Sequence, residues 1–307
     1  MSDIFDTIII GAGSAGLPAG MYASRYKLSN IIIGEIPGGA LATSHCVENW
    51  PGVQSESGKS IMESFADHAR SAGSTILQER VETVAKNGEY NFTVTTTSGT
   101  EYKSKTVILA TGNQYKKLGV PGEIEFIGQG VSYCATCDGN FFRGLSVAVV
   151  GGGNTAITEA LYLAEIAREV HIFVRTDKVR AEDIWVEKAK QHSNIIFHYF
   201  TEVAEIQWDM MGMRSVLLKD GSTLPLDGIF IAVGNVPYTG LVDHLSPEKD
   251  AEGCIVVDKR QETTVKWLYA AGDVTTNSNK FRQTIMSAAE GCLAANSVHE
   301  DILRLGH

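Results

Sequence analysis

The sequence predicts an α/β fold of two Rossmann-like units, the second inserted into the first. Three observations carry this. A short apolar strand, a glycine-rich turn and a helical stretch occur twice, their first glycines 140 residues apart. Each copy runs on into a second apolar strand, giving βαβ twice. Two further strands ending in small-residue turns, at residues 106–112 and 267–273, lie on either side of the second copy. If they complete the first unit, that unit is discontinuous.

The first copy reads Asp6-Thr-Ile-Ile-Ile-Gly-Ala-Gly-Ser-Ala-Gly16. Its β-branched run is the kind buried on both faces of a parallel sheet. A helix is predicted over about Ala15–Tyr26 and a strand over Asn30–Ile33. The second copy reads Ser146-Val-Ala-Val-Val-Gly-Gly-Gly-Asn-Thr-Ala156. A helix is predicted over about Thr155–Ala167, with Ile157, Leu161, Ala164 and Ile166 at helical spacing, and a strand over Val170–Val174. The domain boundaries follow: residues 1–115 with 245–307, and 116–244, with joints near Gln114–Lys117 and Asp243–Pro247.

A glycine turn between a strand and a helix suits a dinucleotide, because backbone N–H groups can close on a pyrophosphate at the helix N-terminus. The alternative is a glycine turn with no ligand. The copies differ at the third glycine, which is Ala156 in the second; its methyl pushes the helix off the strand. They differ also at the end of the second strand, where an acid would bond a ribose 2′-hydroxyl. The first copy has Glu35 there, 19 residues after Gly16; the second has Arg175, Lys178 and Arg180. Cations without an acid suit a 2′-phosphate, and so NADPH over NADH; a solvated basic loop is the plainer alternative.

Cys134-Ala-Thr-Cys137-Asp138-Gly139 lies shortly before the second copy. A CxxC pair can exchange disulfides, bind zinc or be inert. Zinc needs two more ligands; Cys46, Cys254 and Cys292 are isolated and the histidines form no close pair, so no metal is expected. Redox exchange is the favoured reading, and Asp138 is placed to move the proton that exchange requires. The three single cysteines are expected to be buried structural thiols.

Composition narrows the field. Hydrophobic residues are 44% of the chain, which excludes disorder. The net charge of −10 argues against nucleic acid as a partner. No apolar run approaches the ~18 residues of a membrane span. The start, Met1-Ser-Asp-Ile-Phe-Asp6, has no basic region ahead of an apolar one, so a cytoplasmic protein is expected.

Taken in order, these motifs resemble the low-molecular-weight thioredoxin reductases. The resemblance covers essentially the whole chain: Gly11–Gly16, Pro37-Gly-Gly39, Val47-Glu-Asn-Trp-Pro-Gly52, Ala110-Thr-Gly112, Cys134–Gly139, Gly151–Ala156, Ala271-Gly-Asp273 and Arg282-Gln-Thr284. It implies FAD in the discontinuous domain, held by Gly11, Gly13, Ser14, Ala15, Gly16, Glu35, Gly39, Leu41, Asn49, Val81, Thr111, Gly112, Gly272, Asp273, Arg282, Gln283 and Thr284. It implies NADPH in the inserted domain, at Gly153, Asn154, Thr155, Arg175 and Arg180. Cys137 would face the flavin, Cys134 would be the interchange thiol and Asp138 the acid/base. Electrons would pass from NADPH through FAD and the dithiol to thioredoxin, in a homodimer. Phe141-Phe-Arg143 resembles a partner-docking patch; adjacent aromatics cannot both face inward on a regular strand.

The chain departs from the family pattern in places. The usual His-Arg-Arg, three residues, then Arg appears as Val174-Arg-Thr, Asp177-Lys-Val, Arg180. Val233-Gly-Asn-Val-Pro-Tyr-Thr239, Ala40 and Asn140 also differ from the usual residues. Relatives exist that take electrons from ferredoxin or another donor, so ferredoxin is the alternative partner. A flavin-binding sensor without turnover and a dithiol oxidase using oxygen are further alternatives; the Ala135-Thr136 pair with Asp138 favours a reductase. The tail ends in His307, a chain end by default, with a role at the flavin or the dimer partner as the alternative.

Overall fold

The computed structural model describes residues 4–44, 47–209 and 212–305. Its backbone divides into two compact units, residues 1–114 with 236–307, and 115–235. Each is described separately.

The first unit opens with β1 (Phe5–Ile10), α1 (Gly16–Arg25) and β2 (Asn30–Ile33). Then follow α2 (Gly58–Ala72), β3 (Thr75–Leu77), the antiparallel pair β4 (Val81–Gly88) and β5 (Asn91–Thr96), and β6 (Glu101–Leu109). The sheet order is β3-β2-β1-β6-β5-β4. β1 lies parallel to both neighbours, with Ile8–Ile10 beside Ile31–Ile33 on one side and Val107–Leu109 on the other. The side chains of this centre alternate between two cores. Ile9, Ile32 and Ile108 join Leu17 of α1 and Met62 of α2. Ile8, Ile10, Ile31, Ile33, Val107 and Leu109 pack with Phe92 and Val94. Both faces are covered, which is why these strands are continuous apolar runs. β7 (Asn113–Tyr115) carries the chain out of this unit.

The second unit begins with β8 (Val131–Ser132) and the short α3 (Ala135–Asp138). The second glycine turn lies between β9 (Ser146–Val150) and α4 (Asn154–Ala164), followed by β10 (Glu169–Val174), α5 (Asp183–Gln191) and β11 (Ile195–Tyr199). An antiparallel sheet of β12 (Val203–Asp209), β13 (Gly212–Leu218) and β14 (Thr223–Pro225) precedes β15 (Gly228–Ile231). The main sheet is parallel, in the order β11-β10-β9-β15-β8. The predicted helix over Thr155–Ala167 ends sooner, because Ile166 and Ala167 turn back to bond the Leu163 carbonyl.

β16 (Asn235–Pro237) returns the chain to the first unit. This return comes ahead of the expected Asp243–Pro247, because Leu241 and Val242 are buried in the first unit's core with Ile8 and Val107. β17 (Leu268–Ala270) then lies parallel to β6, at Val107–Leu109. The long α6 (Thr284–Leu305) packs along α1. Gly291 permits that approach, since a Cβ there would come within 2.0 Å of the Ala15 carbonyl oxygen.

Candidate active site

In the first unit, the turn Gly11–Ala15 leads from β1 into α1, and no side chain caps the helix start. Gly16 is required by packing, because a Cβ there would lie 1.8 Å from the Gly11 carbonyl oxygen. The equivalent Ala156 in the second unit has its methyl fully buried, so the second turn leaves room for a Cβ where the first does not. The helix start, with its N–H groups and positive dipole end, could hold a pyrophosphate.

The strand ends beside this turn carry polar groups. Thr111 donates its hydroxyl to the Tyr238 carbonyl at 2.7 Å, and Gly112 accepts the Tyr238 N–H at 2.9 Å. Gly272 and Asp273 follow β17. The Gly272 N–H is taken by the buried Glu290 at 2.8 Å. Asp273 accepts from Asn113 Nδ2 at 3.3 Å and from the Ser287 hydroxyl at 3.4 Å. Burial raises the Asp273 carboxyl above its usual range, against the pull of Arg282 and Ser287. Arg282 donates to the Cys254 thiol at 3.5 Å. Asn49 and Gln283 bond each other at 2.9 Å. Among the buried polar atoms of this unit that have no hydrogen-bond partner, Asn113 Oδ1 and Arg282 Nε belong to residues that interact with Asp273. Such atoms suit a ligand with several hydroxyls.

The other residues singled out in this unit are placed as follows. Glu35 is exposed past the end of β2, 3.9 Å from Arg80. Gly39 and Leu41 lie in a 3₁₀ turn, Gly39–Thr43. Val81 is core. Thr284 begins α6. Cys254 is buried; Cys292 is partly buried, and burial pushes its thiol up to about 11, so it is inert. Cys46 and His307 lie outside the described residues.

In the second unit, Cys134 and Cys137 are joined as a disulfide, with their Cα atoms 5.3 Å apart. Cys137 is exposed and Cys134 partly so. The Cys137 N–H donates to Cys134 Sγ at 3.2 Å, and the Thr136 hydroxyl lies 3.5 Å from the same sulfur. Asp138 accepts from Ser132 Oγ at 2.7 Å, and Ser132 Oγ accepts the Cys134 N–H at 3.0 Å. A buried carboxylate holds the residue before Cys134. Glu123 accepts the Leu118 and Gly119 N–H groups and the Tyr133 hydroxyl at 2.6–2.7 Å, and burial with this bond raises the Tyr133 phenol.

The second glycine turn meets its basic loop directly. The Arg180 and Ala181 N–H groups both donate to the Gly152 carbonyl, at 2.5 and 3.1 Å. Arg175, Lys178 and Arg180 are exposed, and none pairs with a carboxylate among the described residues. Gly153 starts α4, with open space where a Cβ would stand. Asn154 is tied to Glu182 by two bonds of 2.8–2.9 Å, while Thr155 is exposed at the first turn of α4. Phe142 packs edge-on against Phe230, and Phe141 is 81% exposed. One ring turns in and the other out.

The second unit thus holds a disulfide beside a carboxyl and a glycine turn, and the first unit a glycine turn of the same kind. The pyridine nucleotide-disulphide oxidoreductase profile matches residues 5–291. Thioredoxin reductase from Bacillus subtilis (strain 168) is 39% identical over 98% of this chain and 96% of its own length. The chain belongs to the thioredoxin reductases. The crystal structure of Lactococcus lactis thioredoxin reductase superposes with a TM-score of 0.92 at 32% identity, covering 98% of this chain and 99% of the other. That of T. acidophilum thioredoxin reductase gives 0.90 at 37% identity, covering 97% and 99%. As a thioredoxin reductase the chain is a flavoenzyme and an oxidoreductase acting on a disulfide. No helix among the described residues is long and apolar enough to cross a membrane, and they contain no cluster of metal-ligating side chains.

No local sequence pattern marks Ser132, Asn113, Glu123, Glu159 or Glu290. Each is a single polar residue whose importance depends on what the fold brings beside it.

Proposed function

We propose that the chain reduces the disulfide of a thioredoxin with electrons from NADPH, through FAD and the Cys134–Cys137 pair. The observation that carries the donor assignment is the Arg180-to-Gly152 backbone bond, which ties the basic loop to the second glycine turn. Three unpaired cations thus stand beside a helix start, a setting for a pyrophosphate with a 2′-phosphate. Arg175 and Arg180 would hold that phosphate, with Lys178 as a point charge, and Gly153, Asn154 and Thr155 the pyrophosphate.

FAD fits the first unit on the grounds of the uncapped α1 start and the two unpartnered buried polar atoms near Asp273. Gly11, Gly13, Ser14, Ala15 and Gly16 would surround its pyrophosphate, with Glu35 near the ribose. Gly39, Leu41, Asn49, Val81, Thr111, Gly112, Gly272, Asp273, Arg282, Gln283 and Thr284 would lie along the rest. FAD, when bound, converts a two-electron hydride into thiol chemistry that side chains cannot supply.

The chain's own residues perform the exchange. In the reduced pair, Cys134 attacks one sulfur of the thioredoxin disulfide as a thiolate. The thioredoxin S–S bond breaks, one thioredoxin sulfur leaves and takes a proton, and Cys134 is held in a mixed disulfide. Cys137 then attacks Cys134 Sγ, which releases the second thioredoxin thiol and restores the Cys134–Cys137 bond. The Cys137 N–H and the Thr136 hydroxyl support negative charge on Cys134 Sγ, in favour of Cys134 as the attacking sulfur. Asp138 moves the proton, aimed by Ser132. The net reaction consumes NADPH, one proton and a disulfide, and yields NADP⁺ and a dithiol. The reading extends to a homodimer working in the cytoplasm.

The test is anaerobic mixing of the flavin-loaded protein with NADPH, NADH and reduced ferredoxin in turn. Rapid flavin bleaching by NADPH, with slower bleaching by NADH, is expected. Bleaching by ferredoxin alone would overturn the donor assignment.

A further inference from the structure

The Cys134–Cys137 turn rests on a second carboxyl that the exchange steps above do not use. Glu159 lies on α4, below the turn, and its Oε1 accepts the Ala135 N–H at 3.4 Å. Ala135 is itself fully buried between Cys134 and Thr136. Glu159 Oε2 is shut off from solvent and has no hydrogen-bond partner. A carboxylate held in this way is poorly solvated, since a lone pair of the charged form has neither water nor donor.

We propose that Glu159 is a positioning residue that holds one of the two protons accompanying dithiol formation, so that Cys134 is left as the thiolate. The proposal rests on the reading of Cys134–Cys137 as the working dithiol. Starting from the disulfide and an ionised Glu159, two electrons break the S–S bond. One proton goes to Cys137 and one to Glu159; Cys134 keeps the negative charge. The total charge at the site changes by nothing, since two electrons arrive with two protons. The established reductase activity supplies the electrons.

Three features support this. Burial pushes the Glu159 carboxyl up to about 7, with the Ala135 N–H opposing, so both of its forms are accessible near neutrality. No charged neighbour contributes to that shift. A thiolate at Cys134, the residue before Ala135, would add a negative charge next to the segment that Glu159 holds, and neighbouring like charges favour protonation of one of them. The titratable groups on the elements packed against α4 are Cys137 and Asp138 on α3 with Cys134 at its N-cap, Asp183, Glu187, Lys188 and Lys190 on α5, Glu169 and His171 on β10, and His198 and Tyr199 on β11. Of these, Asp138 is engaged by Ser132, Lys188 lies over the Trp185 ring, Glu169 bonds Ser146, and His171 bonds His198. Only the dithiol and Asp138, which serves the exchange steps, change protonation as the pair cycles, and Asp138 is held on Ser132 rather than on the Ala135 N–H.

The test equilibrates the flavin-loaded protein with dithiothreitol redox buffers across pH, which needs neither NADPH nor thioredoxin. At about pH 8, where Glu159 of the oxidised protein is mostly ionised, wild type is expected to take up one proton more per two electrons entering the dithiol than Glu159→Gln, the protons of flavin reduction being common to both. Identical proton counts in the two proteins would overturn the proposal. A second measurement needs only wild type unless a band is seen. The reduced-minus-oxidised infrared difference spectrum should gain a protonated-carboxyl band, and Glu159→Gln should lack it; absence of such a band in wild type would also overturn the proposal. A protein that shows both signatures yet does not reduce thioredoxin would instead refute the functional reading.

Discussion

Ser132 Oγ donates to Asp138 Oδ2 at 2.7 Å and accepts the Cys134 N–H at 3.0 Å. One hydroxyl thus ties the carboxyl on one side of the dithiol to the backbone on the other. Ser132 is 97% buried, so the hydroxyl is not free to turn to solvent. Removing it leaves Asp138 able to rotate away from the sulfurs. Ser132→Ala is expected to lower kcat with thioredoxin about 10- to 150-fold, in line with the ~1.5–3 kcal/mol of a hydrogen bond to a charged group. KM should change little and the pH–rate profile should move. An unchanged kcat and profile would show that Asp138 is aimed by something else.

The two cysteines should separate by chemistry. Cys134→Ser removes the attacking sulfur, so thioredoxin reduction should be lost while the electron donor still bleaches the flavin. Steady-state thioredoxin assays beside anaerobic flavin spectra read both at once. Retention of thioredoxin turnover in this variant would reassign the interchange role to Cys137.

Arg175 and Arg180 flank the second glycine turn without carboxylate partners, so each can give its full charge to a ligand. Arg175→Ala and Arg180→Ala are each expected to weaken NADPH binding by about 10- to 150-fold, the equivalent of ~1.5–3 kcal/mol. NADH, which lacks the 2′-phosphate, should be little affected. Titration of flavin reduction with both nucleotides decides it, and equal losses would mean that neither guanidinium touches that phosphate.

How much of this was legible in the sequence depended on whether the signal was local. Asn30–Ile33 was predicted to the residue, and β10 to within one, because a parallel strand covered on both faces must be an unbroken apolar run. Glycine turns are similarly local, since Gly16 is dictated by the carbonyl five residues before it. The β4–β5 hairpin and the β12–β14 sheet were not foreseen. Their strands mix Lys86, Asn87, Glu205 and Gln207 with apolar residues, for they have one wet face and no accompanying motif. Ser132, Glu159 and Asn113 were invisible for a different reason. Their partners are Asp138, Ala135 and Asp273, and the last is 160 residues away.

His171 and His198 give a pH dependence of stability. Their ring nitrogens are 2.9 Å apart on neighbouring strands. Burial lowers both below the usual 6.5, and for His171 the nearby His198 lowers it further against Glu169. Between the folded value and 6.5 the unfolded chain therefore binds more protons than the folded one. Stability is full above about pH 6.5 and falls as the pH drops below it. His198→Asn removes one of the two groups. Urea unfolding at about pH 7.5 and about pH 5.5 should show a smaller acid loss in the variant than in wild type. Equal losses would place the acid sensitivity elsewhere.

Phe141 and Phe142 face opposite ways. The Phe141 ring is 81% exposed three residues past Asp138, while Phe142 is anchored against Phe230. The anchored ring fixes the backbone, so the exposed ring is presented in a defined place beside the dithiol at little entropic cost. A rigid aromatic of this kind is what a transient partner can bury. Phe141→Ala should raise KM for thioredoxin about 5- to 30-fold, as expected for the ~1–2 kcal/mol of an interface aromatic. Reduction of a small disulfide such as 5,5′-dithiobis(2-nitrobenzoic acid) should not change, since it needs the sulfurs and not the surface. Parallel losses on both substrates would mean that Phe141 supports the dithiol turn rather than the partner.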